Sequence, residues 1–146
     1  MGRSQPAAGD AGLIDALAQT AFAVMAVLNK VGAENDLSLT QLRVLGILRD
    51  RRLRITELAA YLGLEKSTMT GLVDRAEKRG LLARAPSATD GRAVDVFITP
   101  AGVALAGPAY GRVVELLTPL LVTLQPAERR QLQAHLERML GPRLSG

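Results

Sequence analysis

The sequence predicts a mainly α chain with one small β-hairpin set after the fourth of six helical segments. Three observations carry that expectation. Apolar residues recur at spacings of three and four over most of the chain, which is the period of an amphipathic helix. Glycines at 63 and 80 stand where two of those segments stop. Between 94 and 98 the period changes to two, as a half-buried strand requires. At 146 residues, 48% hydrophobic and 22% charged, the chain has the size and balance of one globular domain or one subunit of an assembly.

The first helix is expected from Gly12 to about Asn29, with Leu13, Ile14, Leu17, Ala21, Val24, Met25 and Leu28 along one stripe. Ser38 and Gln41 form a capping box for the second, in which each side chain accepts from the other's backbone N–H, and Leu42, Leu45, Ile47 and Leu48 continue it to Asp50. Thr56 is the expected N-cap of a short third helix through Leu58, Ala59 and Leu62, broken by Gly63. A fourth runs from about Lys66 to Arg79, with Met69, Leu72, Val73 and Ala76 on one face and Gly80 as its left-handed stop. Leu81 to Ala85 and Val94 to Ile98 pair as a hairpin around the turn-forming stretch 86–92. Thr99 as N-cap and Pro100 at the first position open a fifth helix, expected to reach Leu120 and Leu124 with kinks near Gly107-Pro108 and Pro119. Pro126 and Glu128 start the last, closed by Gly141-Pro142.

Composition excludes several chemistries. Without cysteine there is no disulfide framework, thiolate metal site or thiol nucleophile, and a cytoplasmic location is the simplest expectation. Polar residues are expected to interrupt every apolar stretch before the ~20 residues of a membrane span, and MGRSQPAAGD lacks the apolar core of a secretory signal, so no membrane partner is expected. His135, the single histidine, lies beside Leu136 in the last helix and suits a surface or interface better than a metal. No paired carboxylates, Ser–His arrangement or Gly-rich phosphate loop is visible, so no catalytic function and no cofactor are expected. Aromatic residues make up only 3%, too few to stack single-stranded bases. The net charge of +4 is concentrated centrally: residues 43–92 hold eleven Lys or Arg against six Asp or Glu, a net +5. Such a patch points to a polyanion, most often nucleic acid.

Residues 55–74 fit a helix-turn-helix. Ala59 is small where the second helix would cross the first, Gly63 follows four residues later at the turn, and Leu58, Leu62, Leu64, Met69 and Leu72 are apolar where the helices meet each other and the core. The outward face of the second helix carries Lys66, Ser67, Thr68, Thr70, Gly71, Asp74 and Arg75. Short hydroxyls let a helix approach base edges, Arg75 can reach a guanine or a phosphate, and Gly71 gives up about 1 kcal/mol of helix propensity that close approach to a duplex would justify. Arg54 and Thr56, at the start of the pair, join the candidate DNA-binding set. A plain solvated helical hairpin would present a similar face, and Arg92 alone would be an ordinary turn residue near Asp90. A two-stranded wing directly after such a helix, carrying Asp90, Gly91 and Arg92 at its tip, tips both readings toward a winged helix whose arginine enters the minor groove.

Over nearly all its length the chain resembles the MarR family of winged-helix regulators. The resemblance is carried by Leu-Thr-Gln-Leu-Arg-Val-Leu at 39–45, Ile-Thr-Glu-Leu-Ala at 55–59, and the run Lys66 to Leu81. Most specific is the wing signature: Asp90-Gly91-Arg92, five residues, then Ile98-Thr99, with isoleucine where the family has leucine. The resemblance implies a homodimer joined through the first and last two helices, with Ser67, Thr68, Thr70 and Arg75 in a major groove and Arg92 in the flanking minor groove. It also implies a near-palindromic double-stranded operator, and repression relieved by a small organic effector, often phenolic or anionic. The family's cysteine-based oxidant sensing is not open to a chain without cysteine.

Surplus leucine in the terminal helices points independently to an interface, with Leu13, Leu17, Leu120, Leu124, Leu132, Leu136, Met139 and Leu140 as its candidates. The expected organisation is a flexible tail at 1–11, a dimerisation helix at 12–36, a DNA-binding domain at 37–99 and C-terminal dimerisation helices at 100–146. Two other readings have different signatures. A winged-helix module for protein contacts or general DNA packaging would bind with little sequence preference. A small enzyme or ligand carrier would need a constellation of reactive groups that is not visible here.

Overall fold

The computed structural model describes residues 9–142. Its helices are α1 (Asp10–Glu34), α2 (Leu39–Leu48), α3 (Ile55–Leu62), α4 (Lys66–Lys78), α5 (Pro100–Leu117) and α6 (Pro126–Leu140). Its strands are β1 (Leu53–Arg54), β2 (Leu82–Pro86) and β3 (Val94–Ile98), and the expected mainly α fold with a hairpin wing is the one observed. The expected tail at 1–11 lies outside the described residues up to position 8, and Asp10 and Ala11 already belong to α1.

Local chemistry accounts for most boundaries. Ser38 Oγ accepts from Gln41 N at 3.1 Å and Gln41 Oε1 from Ser38 N at 2.9 Å, the capping box read from the sequence. α3 starts one residue before Thr56, with Arg54 as N-cap. Arginine has no acceptor to offer, and the Glu57 carboxylate instead accepts the Arg54 N–H at 3.2 Å. α1 runs to Glu34, past the expected end at Asn29, because Val31 is fully buried and adds a further anchored turn. Three helices close alike. Gly63 (φ +68°), Gly80 (φ +75°) and, unexpectedly, Asp36 (φ +53°) take the left-handed conformation, and the following N–H bonds back to Ala59, Ala76 and Gly32 respectively.

Beyond Leu117 the fifth helix departs from expectation. It gives way to a 3-10 turn over Thr118–Leu120, and Leu124 lies outside any helix. Pro119 cannot donate the N–H that a continuing α-helix needs, whereas Pro108 is carried within α5.

The core lies between α2, α3, α4 and the sheet. Leu45, Leu48, Leu58, Met69, Val73, Leu82 and Val96 are almost wholly excluded from solvent, each worth about 1.5–3 kcal/mol of burial. The sheet is antiparallel in the order β1-β3-β2, with Leu53 opposite Val96, Leu82 opposite Ile98, and Pro86 opposite Val94. β1 has too few residues to show a period in the sequence. Pro86 sits on an outer strand, where its missing N–H is tolerated. Thr99 caps α5 through Gly102 N at 3.0 Å and donates its own hydroxyl to Gly80 O, fastening the wing's exit to the end of α4.

α1, α5 and α6 project apolar surface outward. Leu13, Leu17, Leu120, Leu132, Leu136, Met139 and Leu140 are all exposed, Leu124 is half-buried, and no residue of α6 is buried. One expectation is corrected here. By length and composition α1 is apolar enough to cross a membrane, with a mean hydropathy of 1.8 over its best 18 residues. Its polar interruptions in that stretch, Asp15, Gln19 and Thr20, are too few to offset the alanine, valine and leucine around them.

A methyl group added at Gly102 would lie 2.2 Å from Leu81 O and 2.6 Å from Ile98 Cγ1, while at Gly111 nothing lies within 4 Å. Gly102→Ala is therefore expected to cost about 2–3 kcal/mol, and Gly111→Ala to gain about 0.5–1 kcal/mol, in urea unfolding.

Candidate nucleic-acid interface

α4 is two-sided because its apolar residues fall on one stripe. Met69, Leu72, Val73 and Ala76 are buried against the core, which turns Lys66, Ser67, Thr68 and Arg75 to solvent and leaves Thr70 and Gly71 half-exposed between them. The expected outward set is thus on one surface. Around Gly71 the nearest foreign atom to an added methyl would be the Arg75 guanidinium at 3.5 Å, so this stretch of helix is thin and open. Glu65, at the N-cap position of α4, makes no side-chain cap and so leaves the first N–H groups of the helix without that partner.

Asp74 is the exception on that face. Arg84, on β2, reaches across to donate to Asp74 Oδ1, to Glu77 Oε1 at 3.4 Å and to Thr70 O at 3.4 Å. One guanidinium therefore engages both acidic side chains of α4 and ties the helix to the wing. Lys66, Arg75 and Arg92 have no ion-pair partner among the described residues, so the outer surface keeps its positive field.

Within the wing, Ser87 is buried, and its hydroxyl accepts from Thr89 N at 3.3 Å and Asp90 N at 3.4 Å. Asp90 Oδ1 accepts from Arg92 N at 3.1 Å, bending the tip so that the exposed Arg92 side chain extends from it. Arg54 Nη2 lies 3.4 Å from Thr89 Oγ1, joining the start of α3 to the wing loop, and Thr56 is exposed in the first turn of α3. At the wing's base the Arg52 guanidinium lies 4.4 Å from the Phe97 ring centroid and 4.0 Å from Asp95. Lys66, Ser67, Thr68, Thr70, Gly71 and Arg75 thus share one surface, Arg54 borders the wing loop, Thr56 is exposed at the start of α3, and Arg92 stands at the wing tip.

The sequence pattern of the MarR family matches residues 35–93, the segment that spans α2, α3, α4 and most of the wing. A solved MarR-family regulator from Rhodococcus sp. RHA1 superposes over 96% of this chain and all of its own, with a TM-score of 0.76 and 25% identity. Over that segment, residues 35–93, the chain belongs to the MarR family. Among curated relatives, the HTH-type transcriptional regulator YfiV of Bacillus subtilis is 32% identical over 96 residues, 65% of this chain. The chain spans 60% of that relative's length. PecS of Dickeya dadantii, also an HTH-type transcriptional regulator, is 28% identical over 87% of this chain and 79% of its own. The fold is shared by BpsR of Bordetella bronchiseptica (TM-score 0.73, 24% identity), whose structure concerns regulation of its DNA binding by 6-hydroxynicotinic acid. The family's members are regulators rather than enzymes.

Arg84, Arg52 and Ser87 escape sequence reading. Each looks like a generic polar residue, and its role appears only when the hairpin folds back beside α4 and α3. A coupling of about 0.5–1 kcal/mol is expected between Arg84 and Asp74 in a double-mutant cycle of thermal unfolding, falling as salt rises to 1 M.

Proposed function

We propose that this MarR-family chain is a dimeric, sequence-specific transcriptional regulator, a repressor of a near-palindromic operator that a small organic ligand releases. The observation that carries the reading is the surface of α4: hydroxyls and free cations face outward, and the helix's carboxylates are drawn aside by Arg84. In this reading Ser67, Thr68, Thr70 and Arg75 meet base edges in the major groove, and Lys66, Arg54 and Thr56 meet the backbone. Arg92 enters the minor groove, and Gly71 permits close approach. Residues 37–99 form the DNA-binding segment, flanked by dimerisation segments 12–36 and 100–146.

The exposed leucines of α1 and α6 and those around Leu120 support the dimer, since a monomer would leave this apolar surface in water. Two-fold symmetry then asks for half-sites about one helical turn apart. For release, a ligand must bind the DNA-incompetent geometry more tightly, because only differential affinity shifts a population. The regulation of BpsR by an aromatic acid makes phenolic and anionic compounds the first effectors to try.

Competition between the operator and random duplex tests sequence readout: an operator preference of 10³-fold or more is expected, whereas a packaging protein would show almost none. Arg92→Ala is expected to weaken binding on all sequences alike, and Thr70→Ala or Arg75→Ala to lose about 1–3 kcal/mol at one base position and relax preference there. Equal loss on every sequence for all three would contradict base readout by α4.

A further inference from the structure

We infer that Arg79 is a positioning residue: by clasping the end of α1 it sets the direction of α4, and so the separation of DNA half-sites that the dimer accepts. The inference rests on the dimeric, DNA-reading function proposed above.

Arg79 is the first residue past α4. Its Nη1 donates to Asp36 O at 2.7 Å and its Nη2 to Asn35 O at 3.1 Å. These two carbonyls are presented side by side because of how α1 ends. Leu37 N bonds to Gly32 O at 2.8 Å and Asp36 N to Ala33 O at 3.3 Å, with Asp36 in the left-handed conformation, so the chain doubles back over its own last turn. That fold-back is tight. A methyl group at Gly32 would come within 2.7 Å of Leu37 O, and Asn35 Nδ2 is held by Val31 O at 2.8 Å. A planar guanidinium fork spanning two fixed carbonyls restricts rotation in a way that a single contact does not. The C-terminal end of a 25-residue helix dipole also favours a cation there.

Elsewhere α1 packs chiefly on α2 and α5, and α4 on α3 and β2, so the clasp is a direct polar link between the end of α1 and the end of α4. The wing travels with α4, since Arg84 and Thr99 bind it to that helix. A helix of 13 residues is about 20 Å long, and a swing of about 10° at Arg79 displaces its far end by about 3.5 Å. That is close to one base-pair step of a duplex, and in a symmetric dimer both ends move. Small freedom at Arg79 thus becomes a change of register on DNA.

Because the chain has no cysteine, Glu65→Cys introduces a unique spin-label site at the far end of α4, in a dimer otherwise intact. Distances between the two labels in the free dimer are measured in this parent and with Arg79→Gln or Arg79→Lys added. Lysine keeps the charge without the fork, and it provides a second test should the glutamine variant not fold. Label-free proteins are then titrated with duplexes whose half-sites are moved one base pair closer or farther. The expected result is a narrow distance distribution that broadens in both variants, and a spacing preference of tenfold or more that falls to threefold or less. Unbroadened distances, or variants that select spacing as sharply as the wild type, overturn the inference alone. A wild type indifferent to spacing, or without a label pair because it is monomeric, overturns the functional reading and the inference with it. Arg79→Lys at full affinity, with Arg79→Gln weakened equally at every spacing, would mark a simple phosphate contact and also overturn it.

Discussion

Burial of one face of α4 is the constraint from which the rest of the molecule follows. Met69 and Val73 are fully enclosed, with Leu72 and Ala76 nearly so, against α3 and the leucines of α2. The helix is poorly equipped to stand alone: it lacks a side-chain cap, and Gly71 in its middle costs about 1 kcal/mol. Four buried residues outweigh both, as tertiary packing usually does for a helix of this length. Once that face is committed to the core, helical geometry leaves no choice about which residues meet the solvent. Ala59 allows the close crossing with α3, and Gly63 supplies the left-handed turn between the two.

Electrostatics then refines the exposed face. Exposed ion pairs add at most about 1 kcal/mol each, so the contact of Arg84 with Asp74 and Glu77 matters less for stability than for the field it shapes. Carboxylates drawn to one side leave the hydroxyls and the free cations facing outward together. Arg112 performs a comparable service in the scaffold, linking α5 to Glu34 of α1. The hydrogen bond and charge of Glu34 raise the guanidinium's pKa above its ordinary value. The apolar stripes of α1 and α6 have no such polar cover, and their exposure in a single chain is the strongest structural reason to think in terms of a subunit rather than a finished particle.

Much of this was legible in the residues because the signals are local. The Ser38–Gln41 box, the glycine turns at 63 and 80, the Thr99-Pro100 start and the two faces of α4 each depend on neighbours within a few positions. Local rules also misled at identifiable places. Thr56 resembled a better cap than Arg54, but Glu57 supplies the bond from inside the helix. Leu120 and Leu124 continued a helical stripe that Pro119 had already ended. The polar residues of α1 do not break its apolar stretch, whose mean hydropathy remains high.

The sequence by itself determined the order of the helices and the hairpin, the split character of α4, and the position of Arg92 at the hairpin's tip, since periodicity, capping and turn chemistry act over a few residues. Only the tertiary structure decided that β1 completes the sheet, that Arg84 gathers the acids of α4, and that Arg79 grips the end of α1. Arg79 and Asp36 are separated by 43 positions along the chain, and no local pattern links them. Such contacts form because packing brings a flexible cationic side chain within reach of backbone carbonyls and carboxylates, which any exposed arginine could in principle have met.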